Sequence, residues 1–191
     1  VSNFCGESFA GNFYFHGFSI HRFKFKRLSI NILKKILNNI KMSKIIKIYL
    51  AGDHAGFKLK EELKIFLKKL GHKTKDFGPY KYNPDDDYPD FVKKAAKAVA
   101  KKKNSLGVVI GGSGQGEAMV ANRIKGIRAA VYYGGPEKII KLSKEHNNAN
   151  VLSLGARFLS KEQAKKAVKL WLKTPFSKEK RHKQRIEKIE R

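Results

Sequence analysis

The chain has 191 residues, 42 Lys and Arg against 16 Asp and Glu, a formal net charge of +26, and 41% hydrophobic residues. That supports one globular domain with a core of its own. A lone cysteine, Cys5, excludes an internal disulfide framework and a cysteine-based zinc site. The chain also lacks the run of about eighteen apolar residues that a membrane-spanning helix needs.

Residues 1–41 differ from the rest of the chain. They hold seven of the thirteen phenylalanines and one acid, Glu7, and "INILKKILNNIK" at their end suggests a short amphipathic helix. The segment reads as a basic, Phe-rich extension, disordered or included by a misplaced start, ahead of a second region at 42–191 that begins at Met42. A secretory signal is disfavoured because the basic residues follow the Phe-rich part.

From Met42 onward, strand and helix patterns alternate. "KIIKIYL" (44–50) is a β-branched apolar run. "AGFKLKEELKIFLKKLG" places Phe57, Leu59, Leu63, Phe66, Leu67 and Leu70 at helical spacing and stops at Gly71. "HKTKDFG" reads as a short strand, "PYKYNPDDDYPD" as a loop, "FVKKAAKAVAKKK" as a helix and "LGVVIGG" as a buried strand. Then come helix "GEAMVANRIKG", strand "IRAAVYY", helix "PEKIIKLSKEHN", strand "NVLSLG", helix "SKEQAKKAVKLWLK" and a last basic helix, "SKEKRHKQRIEKIE".

Five β/α repeats of this kind predict an α/β fold, a five-stranded parallel sheet with helices on both faces. Ligands of such sheets bind at the carboxyl ends of the strands. The residues that fall there are Asp53 and His54 after the first strand, Asp87 and Tyr88 after the second, "GGSGQGE" after the third, "YGG" after the fourth and Arg157 after the fifth. Each has a plainer reading. Asp53 can cap the first helix, His54 can be a satisfied, partly buried histidine, and Asp87 can open a turn.

The stretch "VVIGGSGQGEAMVANR" raises the sharpest question. Its glycine-rich turn at a helix N-terminus can cradle an anion with backbone N–H groups. It is not a P-loop, because no Gly-Lys-Ser/Thr follows, and it does not sit after the first strand as a dinucleotide fingerprint does. Ser113 and Glu117, four residues apart, bring a hydroxyl, amides and a carboxylate toward one cavity. The amides can hold a developing oxyanion while the carboxylate moves a proton. Equally, Glu117 can be a solvent-facing acid in a first helical turn.

Residues 43–190 resemble the type B ribose-5-phosphate isomerase family, which also includes galactose-6-phosphate isomerase subunits. "AGDHAGFKLK", "DYPDF", "GGSGQGEAMVANRIKGIRAA", "EHNNANVLSLGAR" and "RHKQRIEKI" carry the resemblance, in family order. It implies a Rossmann-like three-layer sandwich with a C-terminal helix, no metal or organic cofactor, and a homodimer or dimer of dimers. The implied reaction interconverts D-ribose 5-phosphate and D-ribulose 5-phosphate through a cis-enediolate, in the cytoplasmic pentose phosphate pathway. Many members carry a cysteine base at the position of Gly111. This chain has none there, and it resembles the branch in which a glutamate, here Glu117, is the base.

The resemblance implies the remaining roles. Ser113 and the amides around Gly112, Gly114 and Gly116 stabilise the enediolate oxygen. His146 opens the furanose ring, Asp53 holds a sugar hydroxyl, and Asn147 contacts the enediolate or a hydroxyl. Arg157, Arg181 and Arg185, with His54, bind the phosphate, and Tyr88 lines the pocket. His146, Asn147 and the late arginines are expected to reach a neighbouring subunit's site, so that a monomer is inactive. From the residues alone, His146 reads as a helix C-terminal histidine and the arginines as a solvated basic helix.

Two other functions compete. One is an isomerase of a six-carbon sugar phosphate, allose or galactose 6-phosphate. The other is a basic nucleic-acid-binding protein with steeply salt-dependent binding. The lysines are spread over helix faces rather than gathered in one block, and no RNA-binding aromatic motif or recognition helix is evident, so solvated faces are preferred over nucleic acid.

Overall fold

The computed structural model describes residues 45–191. The reading of residues 1–41, with Cys5 and the amphipathic stretch, lies outside the described residues, as do Met42 to Lys44. The described chain runs β1 (Lys47–Gly52), α1 (Phe57–Lys69), β2 (Lys73–Asp76), α2 (Tyr88–Lys101), β3 (Ser105–Gly111), α3 (Gln115–Asn122), β4 (Ala129–Tyr132), α4 (Glu137–Glu145), β5 (Val151–Gly155), α5 (Lys161–Lys173) and α6 (Lys180–Glu190). All four strand pairings are parallel, in the order β2-β1-β3-β5-β4. The α/β reading, with its five-stranded parallel sheet and C-terminal helix, therefore holds.

Strand alternation divides the core between the two faces of the sheet. Ile48 and Leu50 of β1, with Val108 and Ile110 of β3, pack on Leu59, Leu63 and Leu67 of α1, Ile140 of α4 and Trp171 of α5. Tyr49, Ala51 and Val109 point the other way, onto Val92, Ala95, Ala96 and Val99 of α2 and Ala121 of α3. Helix faces and strand faces thus match the spacing that the sequence carries.

Some element boundaries differ from the sequence reading. β1 starts later than expected and runs to Gly52, because its ladder with β3 continues through Gly52 opposite Ile110. Gly52 tolerates no side chain there, since a Cβ would lie 2.5 Å from the Ile110 carbonyl oxygen. Helix α2 begins at Tyr88, inside the stretch read as loop, with Pro89 in its first turn. Proline suits that position because its missing N–H would have no helical partner there. The expectation of solvated lysines fails for two residues. Lys60 is 0% exposed, its Nζ 2.6 Å from both Asp76 and Glu61, and Lys144 is 8% exposed.

The topology fixes where a ligand belongs. From β1 the chain crosses to β2 on one side, and from β3 it crosses to β4 on the other. The crevice at the carboxyl ends of β1 and β3 is the switch point of the sheet.

Candidate active site

Two acids separated by 64 positions fall at that crevice, Asp53 after β1 and Glu117 in the first turn of α3, near enough for the Asp53 charge to act on Glu117. Glu117 is 3% exposed, so the solvent-facing reading fails. Its burial follows from Gly111, the last residue of β3. A Cβ at Gly111 would stand 1.6 Å from Glu117 Oε1 and 2.1 Å from its Cδ. The carboxyl occupies the space a side chain at 111 would fill. Burial pushes the Glu117 carboxyl above its ordinary value, a hydrogen bond from its own backbone N–H opposes that, and the nearby Asp53 charge adds to the rise.

The loop between β3 and α3 is held from below. Gly114, at φ 79°, is the N-cap of α3 in a left-handed conformation, which suits glycine. Its carbonyl accepts a 2.6 Å hydrogen bond from Ser153 Oγ of β5. Ser113 is exposed just outside the helix, and its Oγ accepts from the Gln115 N–H at 3.3 Å. Arg157 leans on this loop. Its backbone N–H donates to the Gly112 carbonyl at 3.0 Å, and its guanidinium carbon lies 3.4 Å from where a Cβ of Gly112 would be. Tyr88 reaches the loop from α2, with its Oη 2.6 Å from the Cβ position of Gly116. Gly116 thus makes room for the Tyr88 phenol, and Gly112 lies at contact distance from the Arg157 side chain.

Asp53 closes the turn before α1, its Oδ1 accepting from the Gly56 N–H at 3.0 Å. Gly56, not Asp53, is the N-cap of that helix. His54 is held by a residue the sequence reading does not single out, Asp86. Asp86 Oδ1 accepts from the His54 backbone N–H at 2.7 Å and lies 2.9 Å from Nδ1. That hydrogen bond raises the imidazole above its ordinary value, burial opposes it, and the Asp53 and Asp86 charges add to the rise. Asp87, which the sequence reading does single out, is the exposed N-cap of α2.

The other predicted residues gather elsewhere. Helices α4 and α5 run back against the strands, so they end beside the strand starts. His146 is the C-cap of α4, exposed, with its ring 4.2 Å from the buried His182 ring of α6. The following loop is clamped by Arg128, whose Nε donates to the carbonyls of Asn147 at 3.0 Å and Asn148 at 3.2 Å. Arg128 also pairs with Glu190 near the end of α6. Arg181 and Arg185 are exposed on α6. Among the described residues, no hydrogen bond or ion pair joins this group to the Glu117 group. The five-residue β5 between the two ends of the sheet spans about 17 Å.

Among the described residues, no three His, Cys, Asp or Glu side chains are grouped to hold a metal ion, and no helix is long and apolar enough to cross a membrane.

The fold and this crevice define an α/β protein with a buried acid beside a glycine-rich loop at the switch point of a parallel sheet. A family profile described as Ribose/Galactose Isomerase matches residues 48–189, and the chain belongs to that family. It is 39% identical over 142 residues to ribose-5-phosphate isomerase B of Mycolicibacterium paratuberculosis, a match covering 74% of this chain and 88% of the relative. A solved structure of ribose-5-phosphate isomerase B from Clostridium thermocellum superposes with a TM-score of 0.72 at 42% identity, over 76% of this chain and 95% of that one. The enzyme from Mycoplasma genitalium with bound ribulose-5-phosphate gives 0.72 at 39% identity, over 76% and 94%.

Proposed function

We propose that this chain is an aldose–ketose isomerase that interconverts ribose 5-phosphate and ribulose 5-phosphate, with Glu117 as the base. The observation that carries the role of Glu117 is its position. It is a buried carboxyl at the switch point, filling the volume that Gly111 leaves free. A thiol at 111 and an acid at 117 would compete for one place, so the acid supplies the proton transfer that a cysteine supplies in other members.

The chemistry balances on one group. In the open-chain aldose, the Glu117 carboxylate takes the proton from C2, and the C–H electron pair forms the C1–C2 double bond of an enediolate. The C1 carbonyl pair moves onto O1, the O2 hydroxyl proton passes to O1 across the cis-enediolate, and the protonated acid returns its proton to C1 as the C2 oxygen becomes a carbonyl. Burial makes Glu117 a stronger base than an exposed carboxylate, and it also keeps its proton from bulk water between the two transfers. Backbone N–H groups from Gly112 to Gly116, with Ser113 Oγ, face the developing oxyanion. Asp53 holds a sugar hydroxyl, and Tyr88 lines the pocket. His54 and Arg157 serve the phosphate, where a guanidinium can bind two oxygens at once.

His146, which opens the ring, Asn147, Arg181 and Arg185 act on the site of a second copy. Their placement at the far end of the sheet supports this. So does the apolar rim near the Glu117 loop, where Met119, Tyr133 and Phe158 are 66%, 50% and 61% exposed and suit burial by another subunit. A homodimer or dimer of dimers in the cytoplasm is part of the same reading.

The test is turnover of ribose 5-phosphate with EDTA present, by wild type and Glu117→Gln. Turnover that is lost in a folded, dimeric Glu117→Gln protein supports the glutamate base. Equal turnover by both sinks it. Failure of both on ribose 5-phosphate, with turnover of a six-carbon sugar phosphate, moves the substrate assignment.

A further inference from the structure

The second loop of the sheet brings Asp86 to His54 across 32 positions. Oδ1 accepts from both the backbone N–H of His54 and its Nδ1, at 2.7 and 2.9 Å. The Asp86 side chain is 6% exposed, and that of His54 is 29% exposed. Asp86 Oδ2 is buried, with no hydrogen-bond partner among the described residues. Leaving a carboxylate oxygen unpaired is costly, so stability of the loop is a poor account of this acid.

We propose that Asp86 is a positioning residue for substrate recognition, clamping His54 so that its Nε2–H is presented to the phosphate of the sugar. The inference rests on the sugar-phosphate reading of the site and extends it. Because Nδ1 is committed to a carboxylate, Nε2 is the ring nitrogen left for a ligand. The double hold on Oδ1 fixes both the backbone and the ring, which removes the rotation that a lone histidine would lose on binding. The carboxylate also favours the imidazolium, the form that donates to a phosphate oxygen. The charged groups facing His54 are Asp86 and Asp53. Both favour the imidazolium, so binding by His54 weakens as pH rises through its raised pKa.

Asp86→Asn keeps an acceptor for the His54 backbone and removes the charge. Three readouts apply to the folded, dimeric protein: steady-state kinetics on ribose 5-phosphate, inhibition by inorganic phosphate, and NMR titration of the His54 ring. The expected result is a KM several-fold higher with kcat within about two-fold. Phosphate inhibition should weaken, and the His54 titration should move to lower pH. Combined with His54→Gln, Asp86→Asn should add nothing further, since it acts only through the ring.

An unmoved His54 titration, or losses that add in the double variant, overturns the role of Asp86. Because His54→Gln alone would still raise KM in that case, the sugar-phosphate reading would survive it. If His54→Gln leaves KM and phosphate inhibition unchanged, the phosphate role of His54 fails and the proposal falls with it, whatever the ring titration shows.

Discussion

A methyl group at position 111 separates a base held in place from an acid that merely sits nearby. Gly111 is buried and is not in the left-handed region, so alanine brings no backbone strain. The Cβ it introduces would lie 1.6, 2.1 and 2.6 Å from Oε1, Cδ and Oε2 of Glu117, where ordinary contacts begin at 3.4 Å. The carboxyl must retreat by about 2 Å. A misplacement of about 1 Å can cost ~10²-fold in rate, so Gly111→Ala should lower kcat at least ~10²-fold. KM should change little, because the phosphate end of the pocket is untouched. Overpacking costs about 1–3 kcal/mol, less where the displaced acid regains water, so the protein should remain folded. The assay is ketose formation from ribose 5-phosphate, with thermal unfolding as the control. Glu117→Ala combined with Gly111→Ala should cost no more than Glu117→Ala alone, since both remove one base. A folded Gly111→Ala protein with kcat within about two-fold of wild type would refute the reasoning.

Other consequences are as direct. If each site draws on two subunits, mixing and reassembling Glu117→Gln with His146→Ala restores activity that neither has alone. In an equal random mixture about one quarter of the sites carry both intact groups, and recovery of none argues against a shared site. The acid limb of kcat should lie above the ordinary 4.5 of a glutamate, because the base works only when deprotonated. Asp53→Asn removes a charge that raises Glu117, so that limb should move to lower pH even if the overall rate falls; an unmoved limb counts against the pairing. Lys144 is lowered from 10.5 to about 8, first by burial and then by the Arg128 charge. Between those values the unfolded chain binds more protons, so stability rises with pH from about 8 to 10.5. Relative to Lys144→Met, the wild type should gain up to about 3 kcal/mol across that window, read by urea unfolding at several pH values, and a flat difference contradicts it.

The range of each interaction decides whether the sequence carries it. Period and punctuation give the order of elements, because Leu59, Leu63 and Leu67 are local to one helix, as is the run that forms β3. Tyr88 reads as loop because Pro89 reads as a breaker, although the first helical turn is where proline is tolerated. The place of Glu117 is legible but its burial is not, because that depends on the missing side chain of Gly111 and on α3 packing over β3. Asp86 is one of three successive aspartates, and nothing local distinguishes the one that meets a histidine 32 positions away. The buried lysines do leave a signal. Lys60 stands three and seven residues before Leu63 and Leu67, and Lys144 four after Ile140, so both lie on apolar stripes.

The sheet order also constrains assembly. Residues just after strands collect at one end, and residues just after helices α4 and α5 collect at the other. Asp53, His54, Glu117 and Arg157 belong to the first kind, and His146, Asn147, Arg181 and Arg185 to the second. A pentose phosphate is far shorter than the roughly 17 Å between the ends of β5, so one molecule cannot touch both groups in one protomer. Either half of the matched motif is idle, or two copies pack with the carboxyl end of one sheet against the α4–α6 end of the other. The second arrangement gives the exposed Met119, Tyr133 and Phe158 a cover and the exposed His146 and arginines a substrate. It also closes water away from Glu117, whose raised pKa depends first on burial. Subunit association and proton transfer would then depend on the same contact.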